Sequence, residues 1–128
     1  MATAGLEHVN ITVSDPDRTA GMLCELFGWK VRWSGDAIHN GRTVHVGSET
    51  GYIAVYSKGQ APAELPESYG TRGGLNHIGI VVDDLDAVEQ KVIDAGFTPH
   101  LHGDYEPGRR FYFDDADGIE FEVVSYSP

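Results

Sequence analysis

One segment of this chain occurs twice, and that limits the possible folds more than any other feature. Leu6-Glu7-His8-Val9-Asn10-Ile11-Thr12-Val13 returns 69 residues later as Leu75-Asn76-His77-Ile78-Gly79-Ile80-Val81-Val82. Val9, Ile11 and Val13 fall on one face, and so do Ile78, Ile80 and Val82, the alternation of a strand with one buried side. Each strand leads into the same kind of helix start. Asp15 precedes Pro16 as an N-cap would, and Asp84 stands before Leu85 in the same role. Apolar residues follow at helical spacing: Met22, Leu23, Leu26 and Phe27 in the first copy, Leu85, Val88, Val92 and Ala95 in the second. Gly28 and Gly96 then stop the helices, each with an aromatic residue next.

Three short strands complete each copy. The pattern predicts strands over 29–34, 42–47 and 52–57, and over 97–102, 109–114 and 119–126, with Thr50-Gly51 and Asp117-Gly118 turning the last pair. The organisation is therefore one domain over 1–128, with a first βαβββ unit at 6–57 and a second at 75–126. Residues 58–74 carry Pro62, Pro66 and four glycines without period, and they read as a linker. Each helix would cover one face of a four-stranded, mostly antiparallel sheet. The open faces would then close on each other or on a second chain, leaving a groove.

Composition narrows the function classes. An apolar fraction of 41% with 23% charged residues is that of a packed globular protein. The net charge of −11 disfavours phosphate backbones and anionic lipid, so no nucleic-acid or membrane partner is expected. A single cysteine, Cys24, rules out an intrachain disulfide, and its place in the helix pattern suits a small buried hydrophobe. No signal peptide or membrane-length apolar run is visible, so a cytoplasmic location is expected.

Alternation also orients the polar side chains. If Val9 and Ile11 pack on the helix, His8 points into the groove, and His77 does so from the repeated strand. In the last strand Ile119, Phe121 and Val123 form the apolar set, which puts Glu120 and Glu122 on the other face. A lone strand histidine is commonly just solvated or hydrogen-bonded. Two at one position of a duplicated strand, with a carboxylate on the matching face, make a donor set with open coordination positions. Such a set suits a divalent Fe, Mn, Zn or Ni. Arg110 and Tyr112 share a face, and Thr43 and His45 are their counterparts. Tyr112 and His45 are candidates for acid–base or hydrogen-bonding roles. Tyr52 and Tyr56 flank Ala54 and could line a pocket. His100, His102 and Tyr105 fall at an expected loop near its entrance.

These residues resemble the vicinal oxygen chelate superfamily, which includes glyoxalase I, extradiol dioxygenases, methylmalonyl-CoA epimerase, fosfomycin-resistance thiol transferases and bleomycin-binding proteins. The likeness covers nearly the whole chain. It is carried by the two His-bearing strands and by the ending Phe111-Tyr112-Phe113-Asp114-Asp115-Ala116-Asp117-Gly118-Ile119-Glu120-Phe121-Glu122. In the family this ending is similar to Asp-Pro-x-Gly-Asn-x-x-Glu, whose Glu binds the metal. The resemblance thus implies His8, His77 and Glu122 as ligands. It also implies an α+β fold of two tandem βαβββ units forming a curved mixed sheet around a metal-binding groove. Ala116 and Ile119 replace the usual Pro and Asn. The fourth ligand of glyoxalase I has no equivalent in Tyr52-Ile53-Ala54-Val55-Tyr56, and Glu49 lies too early, which argues against true glyoxalase I activity.

What the resemblance implies is a metal-dependent dioxygenase, lyase or isomerase acting on a small oxygenated molecule. Tyr52, Tyr56 and Arg110 are the candidate substrate contacts. A homodimer is expected, with ligands from one chain or two. A non-catalytic drug-binding protein of the bleomycin-resistance type is the alternative.

Overall fold

The computed structural model describes residues 2–105 and 108–127. It divides into two compact units, 1–63 and 64–128, with the boundary inside the expected linker.

The first unit runs β1 (His8–Thr12), α1 (Pro16–Phe27), β2 (Lys30–Ala37), β3 (Gly41–Gly47) and β4 (Tyr52–Ser57). Its sheet has the order β1-β4-β3-β2, with β1 parallel to β4 and the other pairs antiparallel. The caps follow the sequence. The Asp15 carboxylate accepts the Arg18 N–H at 3.2 Å, Pro16 needs no partner for a missing N–H, and Gly28 closes the helix with φ +68°. Leu23 and Leu26 are fully buried, and α1 packs on β3 and β4. From those strands Val44, Val46, Ile53 and Val55 meet it at period two. Because the helix lies over β3 and β4, the start of edge strand β1 is less covered. Val9 is 40% exposed, Ile11 half-buried, and only Val13 fully buried.

The second unit repeats this plan with β5 (Ile78–Val81), α2 (Leu85–Asp94), β6 (His100–Tyr105), β7 (Gly108–Asp114) and β8 (Glu120–Ser125), in the order β5-β8-β7-β6. The Asp84 carboxylate accepts the Ala87 N–H at 3.1 Å. Leu85 and Val92 are buried, whereas Ala95 is exposed and caps the helix. The core beneath is aromatic: Phe111, Phe113 and Phe121 are fully buried, with Phe113 and Phe121 stacked at 5.2 Å.

Two strands depart from the simple pattern, both at bulges. In β2 the register shifts between Val31 and Trp33, and the strand runs on to Ala37. In β6 it shifts between His100 and Gly103, where Leu101 adopts φ +51°. The strand thus covers 100–105 instead of the expected 97–102, so His100, His102 and Tyr105 all lie within it and not in a loop that follows it. No described helix is long and apolar enough to cross a membrane.

The segment before β5 has a structure of its own. The Glu67 carboxylate accepts the N–H groups of Tyr69 and Gly70, each at 2.6 Å. The Gly74 N–H reaches the Thr71 carbonyl at 2.9 Å, and the Asn76 amide donates to the Ser68 carbonyl at 3.4 Å. These bonds turn an aperiodic stretch into a small closed loop that presents Tyr69.

Candidate functional site

In the second unit the open sheet face gathers His77, Glu122, Arg110, Tyr112, His100, Glu120 and Tyr69. Glu122 pairs with Gly79 on one side and Tyr112 on the other, so His77, just ahead of β5, lies diagonally beside it. His77 Nε2 is 3.1 Å from Glu122 Oε1, and the carboxylate is only 12% exposed. Arg110 Nη1 donates to the other oxygen, Oε2, at 2.7 Å. That charge-assisted bond fixes the carboxylate plane and holds the guanidinium pKa above its ordinary value. Arg110 Nη2 reaches the Gly108 carbonyl at 3.4 Å, while Nε is buried without a partner among the described residues. The His77 ring meets Tyr112 edge-on at 5.6 Å, and the His100 ring lies 6.4 Å from Tyr112 on the same face.

The far side of the His77 ring is also occupied. The Tyr69 hydroxyl donates to Glu120 Oε1 at 2.9 Å, and its oxygen lies 3.3 Å from His77 Nδ1. A phenol has one proton and a carboxylate only accepts, so the proton between Tyr69 and His77 is assigned to Nδ1 by the hydrogen-bond network. Nε2 is left facing a carboxylate oxygen. A lone pair against an anion repels, so a positive centre must lie between them, either a proton or a metal cation. An imidazole nitrogen and a carboxylate oxygen are donors that a divalent ion of the Zn, Mn or Fe class would take.

The first unit gathers His8, His45, Tyr52, Trp33 and Arg32. His8 Nδ1 is 2.8 Å from Glu7 Oε1, to which the Tyr52 hydroxyl also donates at 3.5 Å. This carboxylate–imidazole pairing leaves Nε2 of His8 as the free nitrogen, as is usual for metal-binding histidines. The rings of His8 and Tyr52 stack at 4.8 Å, those of His45 and Tyr52 at 4.5 Å, and Trp33 leans on His45 at 5.2 Å. The Arg32 guanidinium lies 4.7 Å over Tyr52. Tyr56 stands apart from this group. It is buried, its hydroxyl donates to the Ile38 carbonyl at 2.7 Å, and its ring lies where a side chain at Gly41 would have to go.

Register explains the missing fourth carboxylate. Ala54 pairs with Asn10 as Glu122 pairs with Gly79, so the first-unit counterpart of Glu122 is a methyl group. Glu49 lies in the β3–β4 turn, 88% exposed and 3.9 Å from Lys30 Nζ. Among the described residues no group of three or more His, Cys, Asp or Glu side chains is poised for a metal. His102 and Arg109 serve the opposite face, tied to α2 through Glu89 at 2.6 Å and Asp86 at 3.0 Å.

Proton chemistry at these groups follows their neighbours. Tyr112 is pushed above its ordinary value of 10.0 by burial and then by the Glu122 charge, and Tyr69 is raised chiefly by its bond to Glu120. Both phenols thus keep their protons at neutral pH and act as donors. His45 is held below 6.5, first by burial and then by the positive charge of His8 and Arg32. The folded chain therefore binds fewer protons here than the unfolded chain. This contribution to stability is full above 6.5 and is lost as pH falls through the lower folded value. We expect the His45 ring-proton NMR shift to titrate with a midpoint below 6.5, whereas a midpoint above it would contradict the stacked, cation-flanked setting.

Glu7, Arg32, Trp33 and Tyr69 were not singled out by sequence reasoning. Tyr69 sits in an aperiodic segment, and the bulge hides Arg32 and Trp33 from simple alternation. Glu7, adjacent to His8, had the clearest signal: an acid beside a candidate ligand.

Two mixed four-stranded sheets, each backed by one helix and each with a histidine at the start of its opening strand or just ahead of it, define the glyoxalase fold. The model of the Glyoxalase/Bleomycin resistance protein/Dioxygenase superfamily matches residues 5–123, and the chain belongs to that superfamily. Its solved relatives are vicinal oxygen chelate proteins. A glyoxylase/bleomycin resistance protein/dioxygenase domain from Frankia sp. EAN1pec shares 25% identity, with TM-score 0.81 over 97% of this chain and 98% of that one. TnmS3, an antibiotic binding protein from Streptomyces sp. CB03234, is 18% identical, with TM-score 0.75 over 98% of each chain. The fosfomycin resistance protein FosX from Listeria monocytogenes, complexed with Mn(II) and sulfate, is 20% identical, with TM-score 0.72 over 97% and 93%. No curated protein matches the sequence.

Proposed function

We propose that this protein is a metal-dependent enzyme of its superfamily: a dioxygenase, lyase or isomerase whose small oxygenated substrate is chelated by a divalent ion held by His8, His77 and Glu122. The observation that carries this reading is the His77–Glu122 pair, whose 3.1 Å spacing and hydrogen-bonded outer sides leave one nitrogen and one oxygen facing each other. A divalent Fe, Mn, Zn or Ni there would supply Lewis acidity toward a developing oxyanion. The Mn(II) of the Listeria protein supports a metal of this class.

The chain's own side chains do the rest. Arg110 occupies one oxygen of Glu122, so the carboxylate offers the other, and the guanidinium lends its positive charge to the site. Tyr112, which keeps its proton, donates a hydrogen bond and does not serve as a base at neutral pH. Tyr52 and His45 offer ring faces to the substrate, and Tyr56, buried with its hydroxyl committed to Ile38, backs the site from within the unit. We further propose that the protein works in the cytoplasm as a homodimer.

A second reading is favoured by one observation. The row Trp33, His45 and Tyr52, with Trp33 52% exposed, is a stacking surface suited to sequestering a planar drug without chemistry. Elemental analysis after anaerobic reconstitution separates the two. Stoichiometric metal in the wild type that is lost in His77→Ala supports the enzyme. No metal in either protein overturns the triad and leaves the small-molecule binder.

A further inference from the structure

Tyr69 lies outside both sheets, in a segment with no strand or helix period, yet it touches a proposed ligand. The Glu67 carboxylate pins the backbone N–H groups of Tyr69 and Gly70, and this bracing sets the phenol against Glu120 and His77. A side chain that merely covered the sheet would not need its hydroxyl lodged between an imidazole nitrogen and a carboxylate.

We propose that Tyr69, backed by Glu120, is a positioning residue that keeps a proton on Nδ1 of His77, so that Nε2 is the nitrogen presented toward Glu122. The proposal rests on the reading of His77 as a metal ligand for its purpose, but not for its test. Glu120 takes the one phenol proton, which leaves the Tyr69 oxygen only an acceptor toward Nδ1. If that acceptor is removed, the neutral ring places its proton on Nε2 and donates it to Glu122 Oε1, 3.1 Å away. A metal that displaced that proton would then leave an Nδ1–H with no acceptor facing it, whereas in the native chain the Tyr69 oxygen receives it. The first unit reaches the same end with the parts exchanged. There a carboxylate, Glu7, meets Nδ1 of His8 directly, and a tyrosine, Tyr52, stands behind the carboxylate. The register places Tyr52 opposite His8 and, counting back one residue from the Ile78–Phe121 pair, Glu120 opposite His77. One repeat position thus supports both histidines with opposite chemistry.

The test uses the full-length, metal-free protein labelled with nitrogen-15 at histidine. Long-range proton–nitrogen NMR reads which ring nitrogen of His77 carries hydrogen. The wild type is expected to show a protonated Nδ1. Tyr69→Phe, which keeps the ring and loses only the oxygen, is expected to show a bare Nδ1 with the proton on Nε2. Glu120→Ala is expected to fall between them, because the phenol proton is then free to turn toward His77. The same pattern in wild type and Tyr69→Phe, or a bare Nδ1 in the wild type, overturns the proposal. A calorimetric titration with Zn(II) forms the second arm, where Tyr69→Phe should weaken binding about 10–100-fold, as loss of an outer hydrogen bond to a ligand does. If the wild type takes up no Zn(II), the metal reading fails, and the NMR result still decides the role of Tyr69.

Discussion

Glu122→Gln is expected to abolish stoichiometric metal uptake while leaving the protein folded. The change keeps the shape of the side chain, and its carbonyl can still accept from Arg110 Nη1, which lies 2.7 Å away in the native chain. What it removes is the anionic oxygen beside His77 Nε2. The amide's other end is an NH2 group, which repels a cation instead of binding it. Losing a ligand itself should exceed the cost of losing an outer hydrogen bond, so we expect affinity for Zn(II) or Mn(II) to fall by more than about 100-fold. Calorimetric titration measures the affinity, and a urea melt in parallel checks the fold. Unchanged affinity would remove Glu122 from the ligand set.

The second large effect is on stability. Phe113→Ala empties a fully buried position at the centre of the second unit's aromatic core. Its ring stacks on Phe121 at 5.2 Å and contacts Phe97 at 5.6 Å. Deleting a buried Phe costs about 3–5 kcal/mol, from lost transfer free energy and an incompletely collapsed cavity. Equilibrium urea unfolding should show that loss with little change in slope, and a cost under about 1 kcal/mol would mean the site repacks far more freely than a close-packed core allows.

Much of the architecture was legible because the features that specify it are local. Asp15-Pro16 and Gly28 mark helix ends through the backbone chemistry of caps. Phe121 and Val123 against Glu120 and Glu122 declare the two faces of β8 through period two alone. The repeat did what one strand could not, since His8 and His77 single each other out. Less was legible where an extra residue breaks the period. The bulge at Val31/Trp33 brings Arg32 over Tyr52, and a second bulge at the left-handed Leu101 lies in a strand that runs on to Tyr105. Least legible was Tyr69. Its position depends on Glu67 bonding to the backbone two and three residues ahead, an interaction without a periodic signature. Tyr56 shows the converse limit, because alternation gives its face but not the hydroxyl's attachment to Ile38.

The turn before β8 bears on how this chain can vary in length. The Asp115 side chain accepts the N–H groups of Asp117 and Ile119, each at 2.9 Å, and Gly118, at φ +78°, bonds back to the Asp115 carbonyl. Held this way, the turn keeps its geometry with Ala116 and Ile119 in it, and it sets the count of residues from β7 to Glu122. Because side chains switch faces at every step along a strand, one residue inserted or deleted here would bring Phe121 or Val123 to the open face and bury Glu122 under α2. The turn works as a length gauge: its residue types can drift, but its size cannot.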